Sequence, residues 1–341
     1  MPTVLDSLNA GLHHAFAADE RVLLLGEDVL DPYGGAFKVT RGLSTAFPGR
    51  VLTTPISEAG IVGVASGMAL RGLRPVVEIM FGDFLTLIAD QIINHASKFR
   101  WMYNDQVRVP LVIRTPMGGR RGYGPTHSQT LEKLFLGVPG LRVFSPAHIG
   151  DPGGLLEQAI LKTEDPVLFI ENKLQYLLQV NSGLEDLDVQ ILYEGDGNLK
   201  EAIQSTIICP SYRLTVKGAP TLELTLAAYG YMAELARQAM LRLAYEHEIF
   251  VELVIPTDLN AFKLSPATPR VLAIEEGTLT LGWGAEILAR VVEEQGSRLK
   301  IARRVAARDL PVPSSGPLEA RVLPGVEEII QAARSVIEQP R

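Results

Sequence analysis

The sequence predicts an α/β protein made of two doubly wound α/β domains, the second smaller than the first. Short apolar runs alternate with stretches of helical periodicity along most of the 341 residues, and this alternation is typical of parallel sheets covered by helices. With 47% hydrophobic and 21% charged residues, the chain is long enough to bury two cores. Because the alternation fails between residues 179 and 221, we predict domains at 1–178 and 222–341, joined by an irregular linker.

The first domain begins with a helical pattern at 7–18, followed by an apolar run at 22–25 that stops at Gly26-Glu27-Asp28. Such a run predicts a buried strand. The next predicted elements are a helix at 39–47, a strand at 51–52, a helix after Ser57, a strand at 74–79, a helix at 84–99, strands at 109–114 and 141–144, a helix at 154–162 and a strand at 167–170. Parallel sheets of this kind bind ligands at the carboxyl ends of their strands.

Within the linker the sequence indicates only a weak helix at 199–204. The elements predicted for the second domain are strands at 222–228, 250–255, 270–275 and 301–306 and helices at 232–244, 284–295 and 326–337. Residues 309–313 contain two prolines and predict a turn-rich connection, because proline cannot continue a helix.

The composition argues against several classes of function. With a net charge of −7 and no basic block, the chain lacks the clustered positive charge that nucleic acids and anionic membranes attract. Its one cysteine, Cys209, cannot form an intramolecular disulfide or a cysteine metal cage. The sequence shows neither an apolar stretch of membrane-spanning length nor the pattern of a signal peptide. We therefore expect a cytoplasmic protein that has neither nucleic acid nor a membrane as its principal partner.

One helix carries a carboxylate at the start of a run of small residues, PISEAGIVGVASGMALRG at 55–72. Ser57 is a candidate N-cap, and Glu58 then falls in the first turn. The glycines and alanines that follow allow another backbone to approach closely. Two interpretations of Glu58 are open at this point: a first-turn acid favoured by the helix dipole, or a buried catalytic acid.

A glycine-rich, charged loop at 117–130 precedes a helical run that is predicted to begin at Leu131. Loops of this length are usually functional or disordered. His127 lies at the end of the loop, close to the expected helix N-terminus, where it could be held close to neutrality. Taken alone, such a histidine is more often an ordinary polar surface group.

Familiar cofactor motifs do not account for the chain. The run Gly195-Asp196-Gly197-Asn198 looks like the start of a magnesium–diphosphate motif, but the next asparagine, Asn260, lies in the other predicted domain. We interpret the run as a decoy. The sequence contains no Walker A loop, G-x-G-x-x-G fingerprint, HExxH motif or paired-histidine metal site.

Four side chains remain that make sense together: Glu27, Glu58, Phe84 and His127. Each follows a predicted strand or lies at a helix start, along one presumed sheet edge. A carboxylate beside apolar and aromatic surface is a place where a pKa can be shifted for proton chemistry.

Several segments resemble the β subunit of the thiamine-diphosphate-dependent E1 component of 2-oxo acid dehydrogenase complexes, in the transketolase superfamily. They are GEDV (26–29), PISEAGIVGVASGMALRGLRPVVEIMF (55–81), DQIIN (90–94), GYGPTHSQ (122–129), PGLRVFSPA (139–147), AAYGYM (227–232), EEGTLTLGWGAE (275–286) and RDLPVP (308–313). The resemblance implies a transketolase-like pyrimidine-binding domain followed by a transketolase C-terminal-like domain. The chain departs from the family pattern at 177–221 and 251–262, in regions that support assembly in the family.

The resemblance assigns a role to each of the four side chains. Glu58 matches the glutamate that hydrogen-bonds N1′ of the aminopyrimidine ring, which helps the cofactor to deprotonate its own thiazolium carbon. Phe84 matches the aromatic side chain that packs on that ring, and Glu27 supports its pyrimidine side. His127 matches the histidine near the substrate and the incoming lipoyl group, as a proton donor or orienter.

The resemblance also implies metals and partners. A structural potassium site is implied at Ala159, Ile160, Thr163 and Asp165, with one residue inserted relative to the usual spacing. In the family, an α subunit holds the magnesium and the diphosphate, and the active site forms between α and β in an α2β2 heterotetramer. The acyl group passes to the lipoyl domain of the E2 acyltransferase, whose core also binds E1.

The leading hypothesis is therefore an E1 β subunit, active only with its α subunit, in the oxidative decarboxylation of pyruvate or a branched-chain 2-oxo acid. An acetoin dehydrogenase-type E1 β subunit is the alternative within the same enzyme class. A non-catalytic assembly or regulatory subunit that keeps the fold is the alternative from a different class. Glu58, Phe84 and His127 together argue against the non-catalytic alternative, because the fold does not require all three.

Overall fold

The computed structural model describes residues 1–192 and 209–338, and its first sheet is parallel throughout. The strand order is β2-β1-β3-β4-β6-β5. The strands are β1 (Val22–Gly26), β2 (Val51–Thr53), β3 (Arg74–Glu78), β4 (Val112–Met117), β5 (Arg142–Phe144) and β6 (Val167–Asn172). Their carboxyl ends meet at one edge of the sheet, so the chain segments that follow them can build a common site.

The α-helices of this domain are α1 (Val4–Ala18), α2 (Leu43–Ala46), α3 (Glu58–Leu70), α4 (Phe99–Met102) and α5 (Pro152–Lys162). Of these, α1, α3 and α5 pack on the sheet. The side chains and backbone of Thr3 and Asp6 form a capping box that starts α1. Helices α1 and α5 cross where Gly11 faces Gly153, and a Cβ on Gly11 would lie 2.3 Å from the Gly153 carbonyl oxygen. Glycine is therefore required at this crossing.

The long helix predicted at 84–99 is wrong. The structure has a 3₁₀ helix at Gly82–Ile88, a π-helix at Gln91–Ala96 and then α4. Leu85, Ile88 and Ile92 are buried as the apolar pattern indicated. Apolar residues spaced three or four apart fit a 3₁₀, α or π turn equally well over so short a stretch, so the pattern alone could not choose between them.

The second sheet is mixed, in the order β12-β11-β9-β10-β8-β7. Its strands are β7 (Leu187–Leu192), β8 (Ser211–Val216), β9 (Leu224–Ala228), β10 (Val251–Ile255), β11 (Arg270–Thr278) and β12 (Ile301–Ala307), and its helices are α6 (Gly230–His247), α7 (Trp283–Gln295), α8 (Gly316–Val322) and α9 (Val326–Glu338). Strands β9 to β12 pair in parallel, whereas β8 runs antiparallel to β10 and β7 antiparallel to β8. Among the helices at 1–192 and 209–338, none combines the length and the apolar character of a membrane span.

Part of the segment predicted to be an irregular linker is strand. Strands β7 and β8 both lie within 179–221 and extend the second sheet. In β7 the apolar side chains of Val189 and Ile191 are 39% and 50% exposed and alternate with polar ones. An antiparallel edge strand with an open face has no continuous apolar run, so a search for buried strands misses it. The weak helix predicted at 199–204 and the glycine-rich run at 195–198 lie outside the described residues.

Helix α3 has one buried face and one open face. Its buried side packs into the core through Ile61, Val62, Ala65 and Ala69. Its open side consists of small residues and one valine at helical spacing: Gly60, Gly63, Val64 and Gly67. A Cβ on Gly63 or Gly67 would meet nothing within 4 Å. Within the described chain, the small-residue stripe therefore faces open space.

Candidate active site

Two carboxylates follow neighbouring strands of the first sheet. Glu27 is the next residue after β1, and Glu58 begins α3 shortly after β2. Burial raises the pKa of Glu27, and the carboxylates of Glu58 and Asp28 raise it further. Glu58 is only 8% exposed. In the part of the chain that the structure describes, neither Glu27 nor Glu58 accepts a hydrogen bond on its side chain.

The capping role predicted for Ser57 is not observed. Ser57 occupies the N-cap position of α3, but its side chain makes no capping hydrogen bond. A helix N-terminus favours a nearby negative charge in any case. Burial beside a second carboxylate is not something that a dipole-stabilising acid needs, so the helix dipole alone does not account for the surroundings of Glu58.

Phe84 and His127 form a second pair. Phe84 lies in the 3₁₀ helix Gly82–Ile88, and its ring meets the imidazole of His127 edge to face, with 5.4 Å between centroids. Phe81 touches both rings, at 5.8 Å from Phe84 and 4.7 Å from His127. Helix α3 packs against the same 3₁₀ helix. The four predicted side chains therefore lie as two pairs on elements that touch.

The helical run predicted to start at Leu131 is a single 3₁₀ turn, Glu132–Leu134. Gly137 and Pro139 follow closely and prevent continuation. Within the turn, the Glu132 side chain is fully buried and accepts a 2.5 Å hydrogen bond from the Tyr229 hydroxyl. His127 therefore does not lie at the N-terminus of a helix, and the basis for expecting helix-dipole control of its charge is removed.

The second sheet and its helices hold the start of the loop that carries His127. We call residues 118–130 the His127 loop. The Gly119 N–H donates to Glu276 of β11 at 2.7 Å, and the Arg120 N–H donates to Glu319 of α8 at the same distance. Sequence reasoning missed both carboxylates, because contacts between distant parts of a chain leave no local pattern.

A buried ion network lies behind the aromatic rings and was also missed. Arg114 of β4 donates to both oxygens of Glu171, at 2.8 and 2.7 Å, and to Glu78 of β3. The Tyr176 hydroxyl completes the group with a 2.6 Å bond to Glu171. Burial raises the pKa of Glu78, and the Arg114 charge opposes that shift. The bidentate Arg114–Glu171 pair joins strand β4 to strand β6 beneath the site.

Lys173 is a further residue that sequence reasoning missed. It follows β6 directly, is 1% exposed and donates from Nζ to the His127 carbonyl oxygen. The sequence did contain a pattern that could have indicated Lys173. The polar run Glu171-Asn172-Lys173 follows an apolar run, just as Gly26-Glu27-Asp28 follows the apolar run at 22–25.

The residues predicted for potassium do not form an open cation site. The Arg74 side chain donates to the Ile160 and Thr163 carbonyl oxygens, at 2.7 Å each. The Thr163 hydroxyl donates to the Ala159 carbonyl at 2.6 Å, and Asp165 pairs with Arg100 at 3.0 Å. In this arrangement a buried guanidinium occupies the side of these oxygens that a potassium ion would approach, and the potassium site stays a prediction.

Comparison with known proteins gives matches along nearly the whole chain. The family models "Transketolase, pyrimidine binding domain" and "Transketolase, C-terminal domain" match residues 2–178 and 216–329. The chain is 36% identical over 339 residues to the mitochondrial pyruvate dehydrogenase E1 component subunit beta-1 of Arabidopsis thaliana, covering 97% of this chain and 88% of the relative.

Relatives from bacteria match over similar lengths. Acetoin:2,6-dichlorophenolindophenol oxidoreductase subunit beta of Bacillus subtilis is 32% identical, covering 98% of this chain and 97% of the relative. The 3-methyl-2-oxobutanoate dehydrogenase subunit beta of Mycobacterium tuberculosis is also 32% identical, covering 99% and 92%. A solved structure titled "Split gene transketolase, inactive beta4 tetramer" matches with a TM-score of 0.70 over 100% of both chains at 18% identity. The structural likeness concerns the fold alone and confirms the predicted fold class.

Proposed function

Because this chain belongs to the E1 β subunits of the 2-oxo acid dehydrogenases, built on the transketolase pyrimidine-binding and C-terminal domains, we propose how its residues serve that reaction. The reaction is the oxidative decarboxylation of a 2-oxo acid with acyl transfer to a lipoyl group, and thiamine diphosphate is its cofactor. The single observation that carries the proposal is the pair of the buried Glu58 and the half-buried Glu27, whose carboxylates accept no hydrogen bond in the described chain.

The carboxylate pair and the aromatic rings suit an aminopyrimidine ring. Such a ring offers nitrogen atoms to a carboxyl group and a flat face to an aromatic side chain. A buried polar group without a partner is costly, so Glu58, with the half-buried Glu27 beside it, is suited to a ligand that supplies the missing hydrogen bonds. Phe84, half-buried beside Phe81, provides the apolar surface for the ring.

Each residue then has a defined task. When bound, thiamine diphosphate supplies a carbon that can take up the negative charge left by decarboxylation. Glu58 holds a proton at N1′ of the aminopyrimidine. Glu27 takes up a proton more readily than an exposed glutamate does, which lowers the negative charge beside Glu58. Phe84 packs on the ring and excludes water. His127 orients the 2-oxo acid or donates a proton to it and to the incoming lipoyl sulfur.

We also propose an α2β2 assembly in which an α subunit holds the magnesium ion and the diphosphate, and in which E2 provides the lipoyl domain. Apolar side chains around the Glu58 helix support a partner at this face: Ile56 is 83% exposed, Val64 60% and Leu87 54%. Isolated exposed apolar residues are common, but a group beside an unpaired buried carboxylate favours a protein interface.

Reconstitution tests the proposal. The chain is co-expressed with an α subunit that has a complete Gly-Asp-Gly diphosphate motif, and 2-oxo acid-dependent reduction of a dye is measured with and without thiamine diphosphate and Mg²⁺. We expect activity only from the complex with the cofactor present. Tight thiamine diphosphate binding and decarboxylation by the chain alone would contradict the shared site. Parallel assays with pyruvate, a branched-chain 2-oxo acid and acetoin separate the main proposal from the acetoin alternative, which the 32% identity to the Bacillus subtilis relative supports.

Two further proposals concern organisation. The first domain ends near residue 178, and the second includes β7 and β8 in addition to the predicted 222–341, because both strands hydrogen-bond into the second sheet. We place the protein in the cytoplasm, because a chain with one cysteine, Cys209, cannot form an intramolecular disulfide and nothing in it requires an oxidising compartment. Fractionation of cells with an antibody to the chain tests the location.

A further inference from the structure

A buried lysine lies directly under the His127 loop. The Lys173 ammonium donates to the His127 carbonyl oxygen and lies over two rings, 5.2 Å from the centroid of Phe81 and 5.3 Å from that of Tyr123. Both distances are within the range of cation–π attraction. Phe81 is also the ring that packs closest to the His127 imidazole. Lys173 therefore contacts both the backbone of His127 and the aromatic ring against which the imidazole packs.

Lys173 also fixes the other end of the loop. Its backbone N–H donates to the Met117 carbonyl at 3.1 Å, and Met117 is the last residue of β4, directly before the loop. Met117 and Asn172 are paired in the parallel ladder of β4 and β6. One residue therefore connects the start of the loop, through its backbone, with the end of the loop, through its side chain.

The charge of Lys173 is held by nearby acids. Burial lowers its pKa to about 8, and the charges of Asp83, Glu276 and Glu319 oppose that shift while Arg121 reinforces it. Asp83 itself accepts from the backbone and side chain of Gln129, at 3.2 and 2.8 Å. The acids that attract the ammonium are therefore the ones that bind the loop backbone. A lysine is almost never fully buried unless its charge is paired.

We propose that Lys173 is a positioning residue for His127: its ammonium holds the His127 carbonyl and thereby sets the imidazole against Phe81 and Phe84. The inference rests on the proposed function in one respect, the part that His127 plays in the reaction. Lys173 does not touch substrate, because its side chain is enclosed beneath the loop.

The first test compares Lys173→Met with Lys173→Arg, and with Lys162→Met as a matched control at an exposed lysine of α5. All three are assembled with the α subunit. Because a misplacement of about 1 Å can cost roughly 10²-fold in rate, we expect Lys173→Met to lower kcat roughly 10–100-fold, with the KM for the 2-oxo acid changed far less. Lys173→Arg keeps the charge and donor and recovers part of kcat, while Lys162→Met leaves it unchanged.

The second test does not depend on activity. Hydrogen exchange of residues 118–130 is followed by mass spectrometry on the unaltered full chain at pH 7 and pH 9, after correction for intrinsic rates. Loss of the lysine charge above pH 8 weakens a charge-assisted bond, so we expect protection of the loop to fall several-fold at pH 9, more than in the neighbouring β4. Lys173→Met should show the same loss already at pH 7.

The two tests separate the possible failures. If the reconstituted enzyme is inactive but loop protection follows Lys173, the proposed function fails and the anchoring stands. Unchanged protection at pH 9, or a kcat of Lys173→Met within twofold of the unaltered enzyme, overturns the positioning role. If Lys173→Met does not fold, the pH comparison on the unaltered chain decides the matter.

Discussion

Glu27 and Glu58 lie at the ends of adjacent strands, and two carboxylates in one place repel each other when both are ionised. Burial and the Glu58 charge raise the pKa of Glu27, so Glu27 takes up a proton more readily than an exposed glutamate does. A proton on Glu27 relieves the repulsion and adds a hydrogen-bond donor beside Glu58. Glu27 can therefore take part in proton transfer next to the carboxylate that we propose to bind N1′.

Removing the Glu58 carboxylate tests this arrangement. General acid–base groups contribute typically 10²–10⁴-fold to a rate, and we expect Glu58→Gln to lower kcat of the reconstituted enzyme by roughly that factor. The thermal midpoint of the chain should stay the same or rise, because a buried carboxylate without a partner is removed. Glu20→Gln, at an exposed residue, is the matched control. Activity of Glu58→Gln within threefold of the unaltered enzyme would remove Glu58 from the mechanism.

At the scale of elements, the sequence predicts most strands of the two sheets, because continuous apolar runs have few alternatives in a parallel sheet. It also predicts Glu27 and Glu58, which follow such strands. It could not predict the π-helix Gln91–Ala96 or the edge strand β7, since local spacing does not distinguish them from regular helix or irregular chain. Nor could it predict that Arg74 would take carbonyl oxygens 86 and 89 residues away.

The hydrogen bonds from Arg74 of β3 to the carbonyl oxygens at the end of α5 lead to a prediction about potassium. Because Arg74 already fills this place, we expect the thermal midpoint of the full chain to be the same in potassium and in choline chloride. Hydrogen bonds to charged groups contribute about 1.5–3 kcal/mol each, so Arg74→Ala should lower the free energy of unfolding by roughly 3 kcal/mol. Arg71→Ala, at an exposed site, should change it little. A midpoint that rises with millimolar potassium in the unaltered chain would instead support the predicted ion site.

The junction of β11 and α7 predicts a dependence of stability on pH. Glu275 of β11 accepts from the Gly284 N–H at 3.0 Å, in the first turn of α7. Burial, and then the Glu132 carboxylate, raise the pKa of Glu275 from 4.5 to about 8. A carboxyl whose pKa is higher in the folded state stabilises the fold fully below pH 4.5, and this stabilisation is lost as the pH rises towards 8.

Glu275→Gln keeps the shape of the protonated acid and cannot ionise. At about 1.4 kcal/mol per pKa unit, the loss in the unaltered chain has an upper limit of about 5 kcal/mol. We expect the unaltered chain and Glu275→Gln to unfold at similar urea concentrations at pH 5, and the variant to be the more stable by pH 9. Equal stabilities at both pH values would show that Glu275 ionises without cost.

At the scale of the whole molecule, the second domain shapes a site to which it contributes none of the four predicted side chains. Glu276 and Glu319 bind the start of the His127 loop, while Asp83 and Lys173 of the first domain bind its end. Any movement between the two sheets would therefore change the position of His127. This coupling makes the position of His127 depend on the second domain, although the proposed chemistry lies beside the first sheet.

The open face of α3 leads to the last prediction. Val64 is 60% exposed between glycines of the small-residue stripe, so a glutamate there is solvated in the free chain but buried in an interface that covers α3. An unpaired buried charge is strongly disfavoured. We expect Val64→Glu to leave the thermal midpoint of the free chain unchanged, to prevent co-elution with the α subunit and to abolish activity. Val292→Glu, at a 52% exposed valine on α7, is the control and should still assemble. If Val64→Glu also assembles and turns over normally, the α subunit must cover Glu58 from another face.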